Sequence, residues 1–230
     1  MTHSRWSMDA VGSTRAVGLL RIALALIIWA RYAREMGLYN GVEWWSLALS
    51  IAFFAATSAM LLGLYARAAT AAVGAILIYF YYGLGIGGVW PLFFGHHAYL
   101  LMATTCLLAL TPCGRSYSFD RFRAMNRREE LPEEAPLWGQ NLIVLQMASL
   151  YFWTAFDKSG TPFLSGDRLE AIFNWGHTNR PIEPFLAVPG FAMAASVAVV
   201  AVEYFLAVGI LVRRLAKFAI PAGLLLHAGF

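Results

Sequence analysis

The sequence predicts an all-α, polytopic transmembrane helix bundle, and three observations carry that reading. Hydrophobic residues make up 60% of the 230 and charged residues only 13%, against about 25% charged in ordinary soluble domains. So few polar groups cannot cover the surface of a water-soluble fold of this size. The apolar residues gather in seven segments, near 16–35, 45–65, 68–86, 96–112, 138–157, 186–211 and 215–230. Most approach the roughly 20 residues that a helix needs to cross about 30 Å of hydrocarbon. The runs also lack the alternation of barrel strands, and an open sheet cannot satisfy its backbone in lipid.

Taken in order, the first segment has no small-residue cleavage site and reads as a first span rather than a signal peptide. The second and third are separated only by Ala66-Arg67, and the fourth opens at "GHHAYL". The stretch "CGRSYSFDRFRAMNRREELPEEAPLW" mixes both charges with two prolines, as a solvated connector with a short interfacial helix would. The fifth segment ends abruptly at Asp157-Lys158, where Gly160 and Pro162 stop the helix and Gly166 permits a tight return. Residues 159–184 then form a long connection, with "RLEAIFNW" as a short helix. The sixth segment carries Glu203, and the seventh is still apolar at Phe230, which predicts that the native chain continues. The organisation expected is one transmembrane domain over residues 1–230, with a cytoplasmic loop at 113–137 and an extracytoplasmic hairpin and short helix at 159–184.

Orientation follows from arginine and lysine. With the N-terminus inside, the cytoplasmic segments hold Arg5, Arg15, Arg67, Arg115, Arg121, Arg123, Arg127, Arg128, Arg213, Arg214 and Lys217, and the opposite face holds Arg31, Arg34, Lys158, Arg168 and Arg180. Arg21 lies within the first span, so the count is eleven against five, and a cytoplasmic N-terminus in the cell membrane is expected. Trp44, Trp45, Trp90 and Trp175 fall near outer span ends, as an aromatic belt places them. The net charge of +4 sits in short loops and is no nucleic-acid signal. Cys106 and Cys113 are seven apart on one apparent helix. That puts them about 10 Å apart along its axis, too far for a disulfide. There is no CxxC pair for thiol redox chemistry or structural zinc.

Ionisable groups in or beside spans are costly and tend to face the bundle interior. Arg21 and Arg31 either do so or snorkel to opposite interfaces. His96 and His97 open the fourth span and point in different directions. They either make helix-end hydrogen bonds or serve a site. No third and fourth ligand accompanies them, so no metal is predicted. Glu203 lies mid-span and must be paired or protonated, with Arg21 and His227 as candidate partners in a buried network. Lys158 either snorkels beside Asp157 or, desolvated at the mouth of the bundle, serves as a general base. Neighbours on a helix are about 100° apart, so Asp157 and Lys158 need not face one cavity.

In this order and spacing the chain resembles the HTTM ("horizontally transferred transmembrane") domain family. That domain is also the membrane half of the vitamin K-dependent γ-glutamyl carboxylase. "LLRIALALIIWARYAREMGLY" is similar to the family's first span, with its arginine at Arg21, and "SAMLLGLYARAAT" to the end of the second. "HHAYL" resembles the His-Ser-Tyr-Leu element that opens the fourth span, and "RSYSFDRF" the Tyr-Trp-Ser-x-Asp element after it. "PLWGQNLIVLQMASLYFWTAFDKSGTPFLSGDRL" resembles the signature of the fifth span, which ends in a lysine and a hairpin. Glu203 and His227 match an acidic residue and a histidine 24 positions apart in the later spans. The resemblance implies that the catalytic base lysine falls on Lys158 and the carbanion-steadying histidine on His97. Arg21, Arg31, His96, Glu203 and His227 would be cofactor-binding. In the carboxylase the lysine deprotonates a reduced vitamin K, oxygen converts the quinol into a strong base, and carbon dioxide traps the glutamate carbanion that this base forms. Three features depart from that pattern. Asp157 replaces a second lysine, Phe163 replaces the hairpin tryptophan, and the 230 residues hold no counterpart of the substrate-presenting extramembrane region. A complete Gla-precursor carboxylase is therefore not expected.

Two functions from different classes remain open on the sequence. One is a lyase-type enzyme that uses a reduced vitamin K-type quinone and oxygen for proton abstraction or carboxylation. The other is a non-catalytic membrane protein, a partner subunit, an oligomer or a lipid- or quinone-binding protein. A small transporter is weaker, since the chain has no inverted repeat and no paired broken helices.

Overall fold

The computed structural model describes residues 6, 10–37, 43–88, 91–176 and 188–228. Arg5, Trp90, Arg180, the side chain of Trp175 and the end of the 159–184 connection lie outside the described residues. The chain forms two compact units, Met1–Ile143 and Val144–Phe230.

In the first unit, β1 (Val11–Ser13) pairs antiparallel with β2 (Glu134–Pro136), Gly12 opposite Ala135. This three-residue ribbon departs from the expectation of helices alone. It lies outside the apolar segments, where the lipid argument does not apply. The backbone N–H of Thr14 donates to Glu133 O at 2.8 Å and that of Leu137 to Ala10 O at 2.8 Å, which extends the ladder at both ends. Arg15 and Arg121 share the carboxylate of Glu133.

From this ribbon rises α1 (Arg15–Tyr32), followed by α2 (Trp44–Leu62) and α3 (Ala66–Ile78). The buried positions of α1 are Val17, Gly18, Arg21, Leu24, Ala25, Ile28 and Tyr32, a 3.6-residue stripe. Its other face exposes Leu19, Leu26 and Ile27. A helix apolar on all sides suits lipid rather than water. The third helix widens into a π-helical run at Tyr79–Ile86, where Gly87 N–H reaches back five residues to Tyr82 O at 3.0 Å. A 3-10 turn at Pro91–Phe93 leads to α4 (His96–Ala109). Tyr32, Phe80 and Phe93 pack ring to ring, with centroids 4.9–5.5 Å apart. Arg31 adds a bond from its guanidinium to Leu92 O at 2.9 Å. The 113–137 stretch contains the short helix expected there, α5 (Phe119–Asn126), capped by Ser118 Oγ accepting from Arg121 N–H. The sixth helix, α6 (Trp138–Lys158), begins in this unit with Gly139 against Thr111.

The second unit continues α6 and adds α7 (Thr161–Leu164), α8 (Asp167–Gly176), α9 (Phe191–Gly209) and α10 (Arg213–Ala228). Phe163, Leu169, Phe173 and Val200 form its core. Gly166 takes φ +95°, and an added Cβ would lie 2.5 Å from the backbone N of Met193. The tight return after α7 therefore lets the hairpin close onto the start of α9.

Each of the seven apolar segments contains a helix. Among the described residues, three helices are long and apolar enough to cross a membrane by length and composition, at Trp44–Leu62, Ala66–Ile86 and Phe191–Gly209. The 14 residues of α4 rise only about 21 Å, short of the roughly 30 Å of a hydrocarbon core. Cys106 and Cys113 are free thiols. Burial pushes the Cys113 thiol up from its ordinary value, which favours its neutral form.

One glycine carries the packing around Arg21. That side chain is fully buried and donates from one terminal nitrogen to Tyr117 O at 2.5 Å. It lies against Gly63, which caps α2 at φ +70°. A Cβ there would collide with the guanidinium and come 2.5 Å from Ser118 Cβ. Gly190 also has positive φ, +78°, but open space around it. Gly63→Ala is therefore expected to destabilise the protein more than Gly190→Ala. Both variants carry the backbone cost of about 1 kcal/mol, and only the first adds overlap. Thermal unfolding of the two variants in one detergent measures the difference.

Candidate functional site

The Lys158 end of α6 is built by three local features. Ser159 Oγ donates to Ala155 O at 2.8 Å, Gly160 is extended, and Pro162 opens α7. The last turn of α6 thus stops short, and the folded-back α7 places the Phe163 ring 5.8 Å from Lys158 Nζ. From there Lys158 Nζ donates to Glu203 Oε1 at 2.6 Å, across 45 residues of sequence. The side chains are 32% and 8% exposed. Glu203 is buried within α9, and its second oxygen, Oε2, has no hydrogen-bond partner among the described residues. The lysine end is thus the more open to its surroundings, and the carboxylate end is closed off.

Two neighbouring bonds tie α6 to the helices that follow it. Ser159 Oγ and the Tyr204 hydroxyl lie 3.1 Å apart, which links the end of α6 to α9. The Tyr151 hydroxyl and His227 Nε2 lie 3.0 Å apart, which links α6 to α10. Tyr151 precedes Lys158 by seven residues and so shares its side of the helix.

The residues singled out from sequence fall as follows. Lys158 and Glu203 are brought together. Lys158 takes this partner rather than Asp157, which is exposed and forms no ion pair among the described residues. His227 bonds to Tyr151, not to Glu203. Arg21 belongs to the first unit and is engaged with Tyr117 O, its Nε and other terminal nitrogen having no partner among the described residues. Arg31 holds Leu92 O. His96 and His97 open α4 in the first unit, after Gly95 at φ +111°, and both are exposed. Sequence reasoning missed Tyr151, Ser159 and Tyr204. The seven-residue spacing of Tyr151 from Lys158 was the available signal.

A carboxylate beside an ammonium, with one buried oxygen that has no hydrogen-bond partner among the described residues, can accept a hydrogen bond from a hydroxyl-bearing molecule and take up a proton. Breaking such a pair strands a buried charge. Lys158→Met is expected to cost about 2–4 kcal/mol, below the roughly 3–5 of a fully buried pair because the lysine is partly exposed. Asp157→Asn is expected to change stability by less than about 0.5 kcal/mol. Chemical unfolding of both variants in one detergent checks the contrast.

No curated protein and no solved structure matches this chain. The family model of the HTTM domain matches residues 13–229. With nearly its whole length covered, and with apolar helices suited to a membrane, the chain belongs to the HTTM domain family.

Proposed function

We propose that this membrane protein holds a reduced vitamin K-type quinone at the Lys158–Glu203 pair and uses it, with oxygen, for proton abstraction or carboxylation. In this reading all seven apolar helices cross the cell membrane, the N-terminus is cytoplasmic, and Lys158 faces the opposite side. Membership of a carboxylase-related family supports the reading. The observation that carries it is the 2.6 Å ion pair with one buried carboxylate oxygen that has no partner among the described residues.

The residues present fit such a group. Glu203 Oε2 is an acceptor awaiting a hydroxyl, and Phe163 offers a ring face beside Lys158. When bound, a reduced quinone supplies, with oxygen, the oxidative driving force to remove a weakly acidic C–H proton. The protein's own part is proton handling. The Glu203 carboxylate takes a proton from the Lys158 ammonium, and the freed amine takes a hydroxyl proton. The pair then stands as ammonium and carboxylic acid, one proton richer. Lys158, the more exposed member, releases that proton. Within the same unit, His227 would share the cofactor-binding role with Glu203.

A competing reading is a purely structural ion pair in a non-catalytic membrane protein. The Ser159–Tyr204 bond favours it, because it ties the end of α6 to α9 as the ion pair does. Turnover separates the two. The purified chain in nanodiscs, given reduced vitamin K and oxygen, should oxidise the quinol. Lys158→Ala should lower that rate by about 10²–10⁴ while the protein still elutes as a folded species. Undetectable quinol oxidation by the unaltered chain, or an undiminished rate in Lys158→Ala, would sink the enzymatic reading.

A further inference from the structure

The first unit has an open cavity of about 380 Å³ at the start of α3, bounded by Tyr65, Arg67, Arg115 and Asp120 among others. We propose that it binds the phosphate-bearing headgroup of an anionic phospholipid.

Charge supports this first. Neither Arg67 nor Arg115 forms an ion pair with a carboxylate among the described residues. Arg67 Nε makes only a long bond, 3.4 Å, to Ala109 O, and Arg115 gives one terminal nitrogen to Glu134 O at 2.8 Å. A third cation, Arg123, stands 5.6 Å from the Tyr65 ring centroid. The one acid in the cavity, Asp120, is already engaged. Its two oxygens accept the backbone N–H groups of Tyr65 at 2.8 Å and Ala66 at 2.7 Å. The cavity therefore presents unpaired guanidinium groups, the donors that match phosphate.

The surroundings select a lipid over a free phosphate. Ala66 is the first residue of a 21-residue segment apolar enough to cross a membrane, so the cavity lies where that segment ends. Beside it, Leu62, Tyr65, Phe119, Phe122 and Met125 are all exposed. The last three recur every third residue on α5, opposite its buried Ala124. A short helix with an apolar stripe and arginines between the stripe residues is suited to lie in the headgroup layer. Basic pockets at span ends bind lipid headgroups by the same logic. The leaflet is the one that Arg67 faces, and the site is independent of Lys158.

Native mass spectrometry of the purified full chain titrated with phosphatidylglycerol, phosphatidylcholine or inorganic phosphate tests this. Phosphatidylglycerol should bind well ahead of phosphatidylcholine. Arg67→Gln should weaken it about fivefold and Arg67→Gln/Arg115→Gln about 30-fold, with phosphatidylcholine unaffected. The single variant guards against misfolding of the double, because Arg67 makes only the long bond. Arg213→Gln/Arg214→Gln, which removes two exposed charges from the second unit, should leave phosphatidylglycerol binding within about twofold. Unchanged affinity in the Arg67 and Arg115 variants would overturn the site. So would an equal loss in the Arg213/Arg214 control, which means diffuse attraction, or inorganic phosphate competing as an equal, which means a free-anion site.

Discussion

An acidic side chain in the middle of an apolar helix has few ways to exist, and the second unit is organised around one of them. Glu203 is buried within α9 and meets Lys158 at 2.6 Å. An unpaired carboxylate in such surroundings would be prohibitively costly. The end of α6 must therefore come to α9, and the chain after Lys158 must turn away at once. Gly160, Pro162 and the positive-φ Gly166 carry out that turn. The hairpin closes where it does because the ion pair and the Phe163 core share one location.

The first unit meets the same problem differently. Arg21 is buried with a carbonyl, not a carboxylate, at its guanidinium. Tyr117, which supplies that carbonyl, and Tyr65 both sit at positive φ, 51° and 45°. Side chains other than glycine adopt that conformation only where their surroundings hold them there. Asp120 supplies part of that hold by accepting the Tyr65 and Ala66 N–H groups. One carboxylate thus fixes the α2–α3 turn, and Arg67 and Arg115 nearby have no carboxylate partner among the described residues.

The helices were legible because their signals are local. Apolar runs bounded by Gly, Pro and charge gave segments within a few residues of the observed ends, as with 138–157 against Trp138–Lys158. Within the 113–137 connector even α5 was anticipated, from its mixed charge pattern. The features that escaped are long-range or very short. Lys158 and Glu203 are 45 residues apart, and Asp157 offered a nearer partner on paper. Each strand of the ribbon has three residues, too few for an alternating pattern to register. The π-helical run at Tyr79–Ile86 has no distinct sequence period, although its glycines mark the place. Span number was harder still, since apolar content says little about whether a 14-residue helix such as α4 reaches across a bilayer.

The account stands on Lys158 and Glu203 acting as one unit, and a double-mutant cycle over that pair measures this most directly. Unfolding free energies of the unaltered chain, Lys158→Met, Glu203→Gln and the double variant give the coupling between the two side chains. The account predicts a favourable coupling of at least about 1 kcal/mol, within the range for residues in direct contact. Strictly additive effects, with coupling near zero, would contradict it.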